Sequence, residues 1–180
     1  MELSSLLKLQ LENAHETLEG TLGDIGEIDA HKEPGGRAFK VAANYAHVVF
    51  AEDNVINGML RKREPLYAST WAGRTGFSEV MPRPDTEIKG GWAEAHDKWA
   101  RALRVDLAQA RRYAQAVQLD ALEYITSVSD EDLDREMDLR FLPPMPLAMV
   151  ITLFVVGHYY SLAGEMSATK GVIGLQGYPF

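Results

Sequence analysis

"MPLAMVITLFVVGHYYSLAG", residues 145–164, is the most apolar window of the chain and approaches the length of a membrane span. It runs on into Glu165 and Lys170, however, and no second span accompanies it. It reads instead as a central buried helix running from about Pro146, a favoured first-turn residue, to Thr169. Along it Leu147, Ile151, Phe154, His158, Leu162 and Glu165 recur at steps of three and four, one line facing the interior. The spacing predicts a buried imidazole at His158 and, at Glu165, a carboxylate in need of a partner.

Working outward, three more segments carry helical period. Residues 3 to about 28 place Leu3, Leu7, Leu11, Ala14, Leu18, Leu22 and Ile25 on one stripe, with Glu12, Glu16 and Glu19 turned elsewhere. A Pro-Gly-Gly break at 34–36 separates this helix from a second, about Phe39 to Arg63, whose stripe is Val41, Tyr45, Val48, Val55, Ile56 and Met59. Asp106 reads as the N-cap of a third, with Leu107, Ala110, Ala114, Val117, Ala121, Ile125 and Val128 on its apolar face. Between the second and third lie residues 64–91, rich in Pro, Gly, Ser and Thr, and then a short helix from about Trp92 to Leu103. A connection of that length inside a compact domain is usually functional, and it allows non-sequential packing. "SDEDLDRE", 129–136, reads as a solvated, capped turn and "RFLPPMP", 140–146, as an extended linker. The glycine-punctuated tail is expected to fold back through Tyr178 and Phe180. With no convincing strand, the pattern predicts one all-α domain over residues 1–180, a four-helix bundle.

Composition narrows the function. A net charge of −8 and a pI near 5.1 disfavour nucleic-acid binding, which rests on clustered Lys and Arg. Zero cysteines exclude disulfides and thiolate metal sites, leaving imidazole, carboxylate, carbonyl or water as donors. The N-terminus has no basic stretch followed by an unbroken apolar run, so a cytoplasmic protein off the membrane is expected. No nucleophile elbow, phosphate-binding glycine loop or H-E-x-x-H pair is present. Among the histidines, His158 on its pattern alone is a satisfied core group more readily than a ligand, and His47 reads as a boundary residue on helix two. His15, beside the first stripe, His31, in a loop, and His96, on the short polar helix, read as structural or solvated. Trp71, Phe77, Trp92 and Trp99 surround the long connection and fit either a pocket mouth or packing beneath a loop.

The stretches "AANYAHVVFAEDNVINGML", 42–60, and "GHYYSLAGEMSATKGVIGLQGYPF", 157–180, with the helix order, loop sizes and "SDEDLDRE" turn, resemble the DinB-like (YfiT-type) four-helix bundles. The resemblance implies an up-down-down-up bundle, a homodimer, and metal-dependent transfer or isomerisation using low-molecular-weight thiols. It also implies one metal-binding histidine from helix two, matched by His47, and a pair from helix four in the pattern H-x-x-x-H-x-G-[QE]. That pattern lines up on His158, Leu162, Gly164 and Glu165. Two imidazoles four apart on a helix can share an ion, but Leu162 donates no lone pair, so the ordinary triad cannot form. Two expectations stay open. Either His47 and His158 hold a divalent cation such as Zn²⁺ or Ni²⁺ in a partial site, helped by water, His15 or Glu165, and any activity is of a transferase or hydrolase kind. Or the bundle is metal-free and non-catalytic, binding a small apolar ligand or a protein partner.

Overall fold

The computed structural model describes residues 2–23, 25–84, 91–139 and 142–179. The middle of the long connection (85–90), Arg140 and Phe141 of the proline-rich segment, and the tail's Phe180 lie outside them.

Helix α1, Leu3–Leu22, buries Leu7, Leu11, Ala14, Leu18 and Leu22 as its stripe requires. It stops at Gly23, whose φ of +58° is cheap only for glycine, so Ile25 belongs to the following turn and not to the helix. A single turn, α2 (Glu27–Ala30), follows. Helix α3, Val41–Asp53, continues as a π-helical segment, Asn54–Leu60. Helix α4 spans Trp92–Ala102 and α5 Leu107–Ser127, with the Asp106 carboxylate capping Gln109 N–H at 2.9 Å. After α6 (Asp130–Asp134), the segment expected to be linker instead pairs as a strand. Strand β2, Leu142–Pro146, runs antiparallel to β1, Glu136–Leu139. Prolines are tolerated there because a two-stranded ribbon is all edge.

The last long helix runs from Leu147 to Val172 as α7 (Leu147–Ile151), a π-helical segment (Thr152–Val156) and α8 (Gly157–Val172). Gly157 N–H reaches back five residues to Thr152 O, so one extra residue is taken up in that turn. The buried line accordingly passes through Leu147, Ile151, Val155, Tyr159, Leu162 and Met166, while Phe154 is only half-buried and Glu165 is exposed. His158, expected on the core stripe, therefore sits half-buried on its flank.

Polar ties fix the helix directions. The Asp130 carboxylate accepts from Leu3 N–H and Ser4 N–H at 2.9 and 3.0 Å, joining the start of α1 to the end of α5. Lys170 Nζ donates to Thr21 O at 2.6 Å, so the ends of α1 and α8 coincide. Asp53 meets Tyr113 and Asn57 meets Asp120, so α3 and α5 run the same way. The result is an up-down-down-up bundle in which α1 and α3 each pack against both α5 and α8. Two parallel neighbours joined in sequence need a connection as long as the bundle, which is why so many residues, 61–106, separate them. The tail does fold back: a side chain on Gly20 would meet Pro179, and one on Gly164 would meet the Tyr178 hydroxyl.

The connection docks through Gly76, at φ +79°, whose carbonyl accepts from Asp106 N–H at 2.8 Å. A Cβ there would lie 2.4 Å from Ala110 N and 2.8 Å from Asp106 O. Gly76→Ala is therefore expected to cost about 2 kcal/mol or more and to lower the melting temperature by roughly 4–8 °C. A thermal melt followed by circular dichroism checks this; an unchanged midpoint would mean that the connection lifts freely from α5.

Candidate metal centre

Packing on α3 explains what surrounds His47. The first six residues of α3, Val41–Ala46, are all buried, because α4 covers the side that α5 and α8 leave open. His47 follows on the seam between α3, α4 and α8. Its ring lies edge-on to His158 of α8, with centroids 4.8 Å apart, and 4.6 Å from the ring of His96 on α4. Trp92 closes over the group, 4.8 Å from His96 and 6.5 Å from His47.

Three of the five histidines thus converge, and His96 is the one that sequence reasoning passed over. It is not solvated but 7% exposed. The signal was present: Trp92, His96, Trp99, Ala100 and Leu103 form one stripe, and the charged residues between them had made α4 read as polar throughout.

The site is electrically one-sided. Burial, and then the neighbouring His158 and His96, push the His47 imidazole down to about 3. Burial also lowers His96, with Asp97 pulling the other way. His158 is lowered by burial, against a hydrogen bond to the Phe154 carbonyl that favours its charged form. All three rings are therefore neutral near pH 7, and neutral imidazole is the state that ligates metals. The backbone bond of His158 is the kind of second contact that fixes a ligand's tautomer and ring orientation.

A divalent cation has to be tested against the donors present. The set is all nitrogen, suited to Zn²⁺, Ni²⁺ or Cu²⁺ more than to Mg²⁺ or Ca²⁺. His96 Nε2 is a buried side-chain nitrogen without a hydrogen-bond partner, a condition that costs about 1–3 kcal/mol unless something fills it. Among the described residues, no three His, Cys, Asp or Glu side chains already stand gathered around one cation-sized point. The His47 ring is adjacent to both His96 and His158. Leu162, 4% exposed, is ordinary core.

Neither suggested helper joins them. His15 Nε2 donates to Glu52 Oε1 at 2.8 Å, and Glu52 Oε2 accepts from Tyr159 Oη at 2.5 Å, a buried knot linking α1, α3 and α8. Glu165 lies two turns beyond His158, at the rim of a separate cavity of about 410 Å³ with Phe39 and Asn44. Of the remaining aromatics, Trp71 and Phe77 pack on Tyr113 and Trp99 on Phe50, which is packing beneath the connection. His31 is structural: its Nδ1 donates to Glu27 O and its Nε2 accepts from Val105 N–H.

An up-down-down-up bundle with half-buried histidines from two long helices meeting at their seam defines a class, the four-helix bundles with an imidazole cluster between helices. The chain belongs to the DinB superfamily, whose family model matches residues 10–160. Its fold is similar to the crystal structure of a conserved protein from Enterococcus faecalis, with a TM-score of 0.73 at 21% identity, covering 97% of this chain and 99% of that one. No curated protein matches by sequence.

Proposed function

We propose that the protein binds a divalent cation in the bundle, with His47 of α3 and His158 of α8 as ligands, and that any catalysis is thiol-dependent group transfer. The observation that carries this reading is the 4.8 Å contact between two neutral, half-buried imidazoles from facing helices. Trp92 packs beside His47 and His96, and the Phe154 carbonyl holds His158 in place. When bound, such a cation supplies Lewis acidity, lowering the pKa of a water or thiol at its open position. The opposing reading, a metal-free bundle that binds a small apolar ligand, is favoured by Leu162 at the family's second helix-four position and by the cavity beside Glu165.

Elemental analysis of the full chain, purified without an affinity tag and loaded with Zn²⁺ before gel filtration, separates the two. About one equivalent is expected in the wild type, with most of it lost in His47→Ala and in His158→Ala. Substoichiometric metal that neither substitution changes would sink the metal reading.

A further inference from the structure

The structure assigns the third ligand of this site to His96, supplied by α4 from the crossover and not by α8. This rests on the divalent-cation reading above and goes beyond it, because the family pattern places both remaining ligands on helix four. The argument begins with a nitrogen. His96 Nε2 is the one buried side-chain nitrogen or oxygen among the described residues that lacks a hydrogen-bond partner. Buried polar atoms in folded proteins are almost always paired, so an isolated exception calls for a missing partner.

The walls say which partner. Four rings lie beside His96 among the described residues: Trp92, Trp99 and Phe39, with centroids at 4.8, 5.3 and 5.5 Å, and His47 at 4.6 Å. Of these four rings only His47 offers a free imidazole nitrogen, and it leads on to His158. A divalent cation would find three neutral nitrogen donors there.

Helix α4 is held rigidly enough to present such a ligand. Trp92 Nε1 donates to Pro82 O at 2.9 Å, Trp99 Nε1 to Glu79 O at 3.2 Å, and Lys40 Nζ to Arg101 O at 2.7 Å. Each tie joins α4 to another part of the chain, and His96 lies between them. Leu162 is thus not the mark of a lost site. The donor missing from helix four is replaced from a helix that packs on α3 at the same level.

The test titrates Zn²⁺ into metal-stripped, tag-free full chain by calorimetry and records the visible spectrum of the Co²⁺ form. His96→Ala and His96→Gln, the second keeping a polar side chain of similar reach, are expected to weaken Zn²⁺ binding by roughly 100-fold or more. Loss of an outer-shell partner alone costs 10–100-fold, so a direct ligand belongs at or beyond the top of that range. Both should also change the Co²⁺ ligand-field bands, which a merely structural role would leave alone. If the wild type binds one equivalent and both variants match it in affinity and spectrum, His96 is not a ligand and the two-histidine site stands without it. If the wild type binds no Zn²⁺, this inference and the reading beneath it fall together.

Discussion

Asp53→Ala is expected to remove on the order of 4 kcal/mol of stability, a large part of the 5–15 kcal/mol that a domain possesses. The Asp53 carboxylate is fully buried, and each of its oxygens accepts two hydrogen bonds. Oδ1 takes Asn57 Nδ2 at 2.8 Å and Leu66 N–H at 2.9 Å, and Oδ2 takes Tyr67 N–H at 3.0 Å and Tyr113 Oη at 2.6 Å. Alanine strands four buried or half-buried donors at once, two of them the backbone groups that begin the crossover. Relief of burying a charge offsets part of the loss, though breaking one side of such a network usually costs several kcal/mol. The damage should also be local: amide exchange at Leu66 and Tyr67 should accelerate more than at Leu11 or Val117. A melting temperature within about 2 °C of wild type would mean that the crossover is held by its aromatics alone.

The second large effect is a loss of stability in acid that originates at His47. An unfolded histidine titrates near 6.5, whereas the folded His47 is held down to about 3. Between those values the unfolded chain binds a proton that the native protein refuses. The contribution is therefore complete above pH 6.5 and is lost as the pH falls toward 3. The limiting slope is about 1.4 kcal/mol per pH unit, and the total is on the order of 5 kcal/mol. His96 and His158 are displaced in the same direction and add to it. Urea unfolding of the metal-free protein between pH 7 and 4.5 reads this directly. His47→Gln should flatten the profile; parallel profiles for the two proteins would place the acid sensitivity elsewhere, for example among the buried carboxylates.

The four long helices were legible because Leu7, Leu11 and Leu18 in α1 and Ala114, Val117 and Ala121 in α5 keep one uninterrupted period. The Asp106 and Ser129 caps were legible for the same local reason, their side chains accepting from Gln109 N–H and Asp132 N–H. The β1–β2 ribbon was not, since Pro143, Pro144 and Pro146 argue against a strand unless its partner is known. Nor was the role of Asp130, which looked solvated within its acidic run but caps α1 across 127 residues of chain. At the site, His47 and His158 could be chosen from the sequence, through the family pattern. His96 could not be joined to them, because its place depends on how a crossover of more than forty residues returns across the bundle.

The π-helical segment at Thr152–Val156 gives the last helix a residue to spare. Elsewhere in a helix, deleting one amino acid turns everything beyond it by about 100° and draws it back by about 1.5 Å. Here the deletion can be absorbed by restoring an ordinary α turn, leaving Tyr159 in the core and His158 at the seam. Length and facing direction are uncoupled at this one point, so the chain can gain or lose a codon there while the imidazoles keep their appointment.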